Sequence, residues 1–252
     1  MDTIKIAWLF PDTLYLHGDR GNILALQKAA AHYDLDVTTD KIDFDTENFD
    51  PVNYDIIFCP PGELSSFPAV LEYLIPLKAS FEKFISEGRP LIVTGTSVAM
   101  WGQTIKRTDG SFFDGIGILP AETLERNSVY GDDLYFSCNY NGTDLDIIGS
   151  QIQMVDFISE TGTCFGTLYY GYGNTGKTRE EGFKTVNSIF TNSLGPVLVT
   201  NPWLTSEIVR TAAGNKDIIL TSDGYDMDLE RKSFDTKKDF ILNKRTNLTN
   251  CL

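Results

Sequence analysis

Short apolar runs alternate with helical patterns along the first part of the chain. Residues 4–10 and 55–58 form apolar runs of strand length, and a third run follows at 90–94. The apolar positions of residues 22–33 and 69–86 recur at the spacing of an amphipathic helix. Strands that alternate with helices are typical of a parallel sheet covered by helices on both faces. The pattern therefore predicts an α/β fold with a mostly parallel central sheet.

Three loops are expected at one edge of this sheet. Residues 15–22, 59–63 and 95–97 each follow a predicted strand. In open parallel sheets, ligands bind outside the carboxyl ends of the strands. The sequence therefore predicts that a functional site lies among these three loops.

The pattern becomes β-rich between residues 112 and 172. Strands predicted at 133–137, 147–157 and 166–170 are separated by Gly and Asn residues, as hairpins require. The glycine-rich segment 171–176 lacks the Lys-Ser/Thr ending of a phosphate-binding loop, so we interpret it as a tight turn.

The last part of the chain is polar and charged, with a helical pattern at residues 203–213. We expect one main domain over residues 1–210. The remainder, 211–252, is expected to be an extension that packs on the surface or is partly disordered.

Composition argues against several classes of function. The 252 residues carry a net charge of -14, which repels a phosphate backbone, so nucleic acid is not an expected partner. No apolar stretch approaches the ~18 residues of a membrane span. The cysteines, which are Cys59, Cys138, Cys164 and Cys251, form no C-x-x-C pair. We therefore expect a cytoplasmic protein with free thiols, no metal site and no cofactor.

The segment 90–102 has the pattern of a strand, a tight turn and a helix that usually presents a nucleophile. Residues 95–99 read Gly-Thr-Ser-Val-Ala, close to G-x-S-x-G, in which the acid and the histidine follow the serine along the chain. The sequence has two histidines, His17 and His32, and both precede the segment. A serine triad therefore lacks its base, and Gly95 is interpreted as the turn between strand and helix.

Several colinear blocks resemble the glutaminase-subunit family of lipid II isoglutaminyl synthases, which are class I, cobyric-acid-synthase-like glutamine amidotransferases. Residues 15–22 read Tyr-Leu-His-Gly-Asp-Arg-Gly-Asn, close to the family's L-Y-G-D-R-G-N. Residues 55–63 stand where the family has D-I-V-F-x-G-G-G-Q, and residues 90–102 align with its elbow P-L-L-x-V-C-G-G-Y-Q-L-L-G. The segments 171–182 and 191–202 match G-x-G-N-N-G…E-G and T-Y-L-H-G-P…N-P.

This resemblance implies a three-layer, flavodoxin-like amidotransferase fold over about residues 4–210. It also implies a Mur-ligase-like synthetase subunit as partner and a role in amidating a peptidoglycan precursor for the cell wall. One of the family's catalytic positions is retained as Asp19. The positions at which the resemblance implies ligand contacts are Asp19, Arg20, Asn22, Gly62 and Arg126.

The chain differs from the family at the positions that carry the catalytic chemistry. In its register the nucleophilic cysteine is Gly95 and the histidine is Leu194, while two glycines that help to form the oxyanion hole are Pro60 and Pro61. Proline has no N–H to donate to an oxyanion. The family's Glu-Asn-His stretch appears as Ile-Ser-Glu at residues 158–160. The sequence thus predicts a catalytically inactive pseudo-glutaminase that acts through partner binding, with Gly95 and Leu194 close together beside Asp19.

Other interpretations remain open at this stage. Cys59 with His17 would give an active hydrolase with a relocated nucleophile. A small-molecule binding module would use the old glutamine pocket for glutamine or a related ligand. Asp19, Arg20 and Asn22 also suit a helix N-terminal cap.

A partner surface is predicted in the β-rich segment 112–170 or in the C-terminal tail. The aromatic residues that suggest it are Phe112, Phe113, Tyr130, Tyr135 and Phe136.

Overall fold

The computed structural model describes residues 2–222 and 226–249. Within them, the strands in chain order are Thr3–Leu9 (β1), Asp36–Ile42 (β2), Ile56–Cys59 (β3), Leu91–Thr94 (β4), Thr104–Lys106 (β5), Phe112–Asp114 (β6), Glu122–Tyr140 (β7), Thr143–Ile158 (β8), Gly166–Tyr170 (β9), Glu180–Glu181 (β10), Phe183–Thr185 (β11) and Ser188–Thr191 (β12). The α-helices are Gly21–His32 (α1), Phe67–Leu74 (α2), Lys78–Ser86 (α3), Val197–Thr200 (α4), Pro202–Gly214 (α5) and Asp228–Thr249 (α6).

A six-stranded sheet forms the centre of the fold. Its strand order is β11-β12-β4-β3-β1-β2, and β11 is the one described strand in it that runs antiparallel to its neighbour. All side chains of β3 and β4 are buried, because α2 and α3 pack on one face of the sheet and α1 and α5 on the other. The predicted three-layer α/β fold with a mostly parallel sheet is therefore confirmed.

The carboxyl ends of β3, β4 and β12 lie at one edge of this sheet. Cys59 is paired with Val93, and Thr94 is paired with Thr191, so the three strands end at nearly the same level. The loops that follow these strands therefore emerge side by side, next to the loop that follows β1.

A second sheet is built mainly from the long hairpin of β7 and β8. Its order is β10-β9-β7-β5-β6, with β8 paired to β7. The hairpin turns at Asn141 and Gly142, whose φ angles of 48° and 86° are those of the type I′ turn that suits the twist of a hairpin. The second half of the chain is β-rich, as predicted.

The predicted strand lengths in this second sheet were wrong. β7 begins at Glu122 instead of 133, and β8 begins at Thr143 instead of 147. Most exposed residues of the added parts are polar, so these parts form no continuous apolar run. Pairing of β7 with β5 and β8 keeps them extended.

Two predicted helices also differ from the structure. The single helix expected over 69–86 is divided by a 3-10 turn at Ile75–Leu77, since Pro76 cannot donate the N–H that a continuous α-helix needs. The helix expected after the turn at residue 95 is a 3-10 helix, Gly95–Trp101.

The helix α6 packs on the second sheet. Three of its lysines pair with aspartates of β7 and β8: Lys237 with Asp133 at 2.6 Å, Lys238 with Asp146 at 3.5 Å, and Lys244 with Asp132. Its apolar contacts come from Ile241, which is buried, and from Phe234, whose ring lies 4.9 Å from that of Trp203.

The boundary expected at residue 210 falls inside α5, and Cys251 lies outside the described residues. Over residues 2–222 and 226–249, no helix is both long and apolar enough to cross a membrane.

We predict that the lysine pairs hold α6 against the sheet. The double variant Lys237→Gln/Lys244→Gln should increase hydrogen exchange of the α6 amides, because each half-exposed ion pair stabilises docking by about 0.2–1 kcal/mol. Lys232→Gln, on the same helix and with an exposed side chain, is the matched control and should leave exchange unchanged. Equal exchange in all three proteins would show that apolar contacts alone hold the helix.

Candidate functional site

The candidate site is built on the turn that follows β4. Gly95 has a φ of 59° in this turn, a left-handed conformation that glycine adopts without strain. The next residues are tied to the loop after β3, because Thr96 Oγ1 donates to the Gly62 carbonyl at 2.5 Å and Ser97 Oγ donates to the Pro60 carbonyl at 2.6 Å. The sharp turn of a nucleophile elbow is therefore present without a nucleophile at its apex.

Hydrocarbon side chains occupy the space into which a side chain at position 95 would extend. A Cβ placed on Gly95 would lie 2.9 Å from Leu194 Cδ2 and 2.9 Å from Pro61 Cβ. Leu194 is buried and held to β8 by two backbone hydrogen bonds with Ser150, of 2.8 and 3.1 Å. The structure thus brings Gly95 and Leu194 together, as their aligned positions predicted, and a side chain at position 95 would require Leu194 or Pro61 to shift.

The loop after β3 lacks a backbone N–H at two successive positions beside the turn. Pro60 and Pro61 are buried and have no N–H, and the Pro61 carbonyl accepts a hydrogen bond from the Leu16 N–H at 3.2 Å. Stabilisation of an oxyanion requires donors aimed at the reacting oxygen. Gly62 has a packing role, since a Cβ there would lie 2.3 Å from Leu14 Cδ2.

Asp19 lies directly beside the turn. Its Oδ2 accepts a hydrogen bond from Thr94 Oγ1 at 2.5 Å, while its Oδ1 is buried without a hydrogen-bond partner. Burial raises the pKa of Asp19 from an ordinary 3.8 to about 7, and the Thr94 hydrogen bond opposes this rise. Leu194 stands at the position that aligns with the histidine of the amidotransferase family. The Asp19 carboxylate therefore has no imidazole to orient.

Asn22 and Arg20, which lie next to Asp19, do not form a side-chain cap at the start of α1. Asn22 is buried and its Oδ1 accepts the Leu198 N–H at 2.8 Å, which joins α1 to α4. Arg20 is exposed at the start of α1, where no side chain makes a capping hydrogen bond. The interpretation of these residues as a side-chain cap was wrong, because Asn22 bridges two helices instead.

Arg126 is engaged away from the turn. Its Nη1 contacts both Asp156 oxygens at 3.0 and 3.1 Å, and its guanidinium lies 3.7 Å from the centre of the Tyr130 ring. These contacts hold residues 126–129, which bulge from β7 where its register with β8 shifts. Arg126 is not among the described residues that line the pocket beside the turn, although its neighbour Glu125 is.

A pocket of about 380 Å³ opens in front of the turn. Its described lining residues are Leu16, His17, Gly62, Glu63, Leu64, Ser65, Thr96, Arg107, Glu125, Val129, Ile152 and Met154. Two of its charges neutralise each other, since Arg107 Nε lies 2.8 Å from Glu125 Oε2. Partial desolvation in the pocket wall lowers the pKa of His17, although its side chain remains exposed to solvent. Sequence reasoning missed Arg107 and Glu125, which lie in no block of the resemblance.

Cys59 does not form a site with His17. Its side chain is fully buried in the core beneath the sheet edge, whereas His17 lies in the pocket wall and is exposed. Burial raises the pKa of the Cys59 thiol to about 12, so it stays protonated and poorly nucleophilic.

A buried polar network positions the loop that carries Leu194. Glu181 is fully buried, and it accepts hydrogen bonds from Thr191 Oγ1 at 2.6 Å and from the Asn192 N–H at 2.9 Å. Asn174 Oδ1 accepts from Asn192 Nδ2 and from the Gly182 N–H. Sequence reasoning interpreted residues 171–176 only as a turn. Their match to a block that also contains Glu181 was the available signal for this role.

The layered sheet and the turn after β4 define the class of protein, a glutamine amidotransferase-like fold. A chain in the structure of PurLQS from Thermotoga maritima matches with a TM-score of 0.56 at 11% identity, over 86% of this chain and 99% of that one. The glutaminase domain of CTPS from Trypanosoma brucei, with bound acivicin, matches with a TM-score of 0.51 at 10% identity, over 88% and 98%. At these identities the likeness establishes the fold.

Within this class, the chain is similar to the GatD subunit of lipid II isoglutaminyl synthase (glutamine-hydrolyzing). It is 26% identical to that subunit from Staphylococcus aureus over 218 residues, 86% of this chain and 88% of the relative. It is also 26% identical to the Streptococcus pneumoniae subunit over 215 residues, 84% and 82% of the two chains. No protein-family model matches the chain. The resemblance noted in the sequence is confirmed by these two relatives.

We predict that Gly95→Ala destabilises the protein. The added Cβ contacts Leu194 and Pro61 and forces a non-glycine residue to a φ of 59°, which should lower the free energy of unfolding by ~1–3 kcal/mol. In a Leu194→Ala background the cost of Gly95→Ala should fall, since one of the two contacts is gone. Urea unfolding measures all four proteins of this cycle.

Gly131→Ala is the matched control, because a Cβ at Gly131 meets nothing within 4 Å. A Gly95→Ala cost that is no larger than the Gly131→Ala cost would show that the space beside the turn is open.

We predict that Asp19 makes stability depend on pH. Its pKa is higher in the folded protein than in the unfolded chain, so its contribution is fully present below about pH 4 and is lost as pH rises to about 7. Between pH 5 and pH 8, the wild type should lose about 2–3 kcal/mol more than Asp19→Asn. Urea unfolding at both pH values provides the test, and Asp36→Asn on exposed β2 is the control. Identical losses for the wild type and Asp19→Asn would contradict a raised pKa at Asp19.

Proposed function

We propose that the chain is a glutaminase-like subunit that does not hydrolyse glutamine and acts by binding a Mur-ligase-type synthetase. The complex would be of the lipid II isoglutaminyl synthase type, of which the two relatives are subunits. The observation that carries the proposal is the turn at Gly95, where a glycine stands at the nucleophile position and a Cβ would lie 2.9 Å from Leu194, at the histidine position, and 2.9 Å from Pro61.

The size of the catalytic deficit supports inactivity. Removing a nucleophile or a base from a hydrolytic triad lowers turnover by about 10⁶, which corresponds to about 8 kcal/mol of transition-state stabilisation. Thr94, Thr96 and Ser97 do not replace these groups, because their hydroxyls already donate to Asp19, to the Gly62 carbonyl and to the Pro60 carbonyl.

The relocated-nucleophile alternative has no support in the geometry. Cys59 is fully buried, and among the other described cysteines the pKa of Cys138 is raised to about 12 by burial and that of Cys164 is raised as well. Both of these lie along a different pocket, on the second sheet.

Glutamine binding is also poorly supported by the pocket in front of the turn. A zwitterionic amino acid needs free groups of both charges near its carboxylate and ammonium. Arg107, the arginine that lines this pocket, is paired with Glu125. Retention of the fold without the catalytic groups is therefore better explained by a surface that binds a partner protein than by a pocket that binds glutamine.

We predict binding without hydrolysis. Mixed with the Mur-ligase-type synthetase of its own organism, the chain should form a heteromer in size-exclusion chromatography with light scattering. The mixture should release ammonia from glutamine at less than ~0.1 s⁻¹. The Staphylococcus aureus GatD subunit with its own synthetase is the positive control for ammonia release. Two separate monomer peaks at micromolar concentration would contradict partner binding, and faster ammonia release that Cys59→Ser abolishes would contradict inactivity.

Restoring the two lost side chains tests the role of the prolines. Gly95→Cys/Leu194→His should remain far below the activity of the positive control, because Pro60 and Pro61 still withhold N–H donors from an oxyanion. Activity equal to that control would show that the prolines are harmless.

A further inference from the structure

Exposed apolar side chains line the pocket in front of Gly95, whereas two of the aromatic residues expected from the sequence to form a partner surface, Tyr135 and Phe136, are buried. The apolar lining residues of the pocket are Leu16, Leu64, Val129, Ile152 and Met154. The last three are 52%, 44% and 43% exposed. A volume of about 380 Å³ is in the range of small-ligand sites, which are mostly apolar with a few polar groups that orient the ligand.

The charged groups of this pocket leave one carboxylate in excess. Among the described lining residues, Glu63 and Glu125 are acidic and Arg107 is basic. His17 is mostly neutral at pH 7, because desolvation lowers its pKa from an ordinary 6.5. The Oε2 atom of Glu125 already accepts hydrogen bonds from Arg107 Nε at 2.8 Å and from the Thr108 N–H at 2.9 Å. Two carboxylates and one guanidinium therefore give the pocket one net negative charge.

Glu63 carries the carboxylate that is available to a ligand. Its side chain is exposed, and it accepts a long hydrogen bond of 3.4 Å from Ser65 Oγ. It forms no ion pair with any residue of the described ranges 2–222 and 226–249. A carboxylate beside apolar walls attracts a cation more strongly than one on an open surface does, because low-dielectric walls focus its field.

The same groups disfavour ligands of other charge. The guanidinium of Arg107 is held by Glu125, so the carboxylate of a ligand would find no free cation in the pocket and would be repelled by Glu63. A neutral apolar ligand would take water away from Glu63 without replacing it, which costs free energy. A cation with an apolar body complements both the walls and the carboxylate.

We propose that the pocket in front of Gly95 binds a small primary amine with an apolar body. Its ammonium group pairs with Glu63, and its carbon atoms pack against Val129, Ile152 and Met154. Glutamine differs from this ligand by a carboxylate for which the pocket offers no partner. The site goes beyond the proposed function, since it belongs to the free chain and needs no synthetase subunit.

The probe for this site is n-hexylamine, which is protonated at pH 7 as a lysine side chain is. The sequence has four methionines, so ¹³C-methyl labelling gives few signals, and Met154→Leu assigns the one in the pocket wall. Titration with n-hexylamine should shift the Met154 signal and leave that of Met227, which lines a separate recess beside α5, unchanged. Hexanoate, an anion of the same chain length, should bind with a Kd at least ~10-fold weaker.

Two glutamate variants separate the pocket from the overall charge. The chain carries a net charge of -14, so any cation is attracted to its surface to some extent. Glu63→Gln should weaken the Kd for n-hexylamine by at least ~3-fold, because it removes a partly exposed ion pair. Glu72→Gln removes the same charge from an exposed position of α2 outside the pocket, and the Kd should stay within ~1.5-fold of the wild type. Equal urea midpoints for the three proteins exclude misfolding.

Other occupants give different outcomes, and each of these overturns the inference. Equal Kd values for n-hexylamine and hexanoate would assign the pocket to apolar ligands of any charge. Equal weakening by Glu63→Gln and Glu72→Gln would assign binding to the overall charge. A Met154 shift by glutamine at the same concentrations would assign the pocket to a zwitterion, and no shift at ~10 mM n-hexylamine would exclude a ligand of this class.

The titration and the test of the proposed function are independent. The titration uses the free chain, whereas heteromer formation requires the synthetase subunit. Loss of amine binding would therefore leave the proposed function standing, and absence of a heteromer would leave the amine site standing.

Discussion

The contact of Leu194 and Pro61 over Gly95 is the interaction on which the functional interpretation depends. A Cβ at Gly95 would lie 2.9 Å from each of these side chains. The turn after β4 keeps the left-handed glycine conformation and its hydrogen bonds to the loop after β3. Backbone geometry suited to a nucleophile is therefore present, while dispersion contacts between hydrocarbon groups fill the volume in which the chemistry would occur.

Buried polar groups order the structure around this contact. Glu181 and Asn174 fix the loop that carries Leu194, and Asn22 joins α1 to α4. Asp19 remains buried beside the turn with a raised pKa, and an ionised carboxylate there opposes folding. These groups act as scaffold for the loops around the turn.

Strands β1, β3 and β4 of the central sheet could be predicted from the sequence because they carry short apolar runs, and the proximity of Gly95 to Leu194 could be predicted from aligned blocks. Strand β2 was not predicted, since most of its residues are polar and it lies at an edge of the sheet. Strand β12 was not predicted either, since it has two apolar residues between Ser188 and Thr191. The length of the β7–β8 hairpin was underestimated, because pairing between the two strands determines how far they extend more than their local composition does. The ion pair of Arg126 with Asp156 depends on a bulge that no local pattern encodes.

The most direct test of a filled catalytic turn is the intact mass of the chain after incubation with an electrophilic glutamine analogue that alkylates catalytic cysteines. The Staphylococcus aureus GatD subunit, treated in parallel, establishes that the reagent is active. With Gly95 at the nucleophile position and Cys59 fully buried, the mass should remain unchanged. A stoichiometric adduct on any residue beside the turn, protected by excess glutamine, would contradict the account.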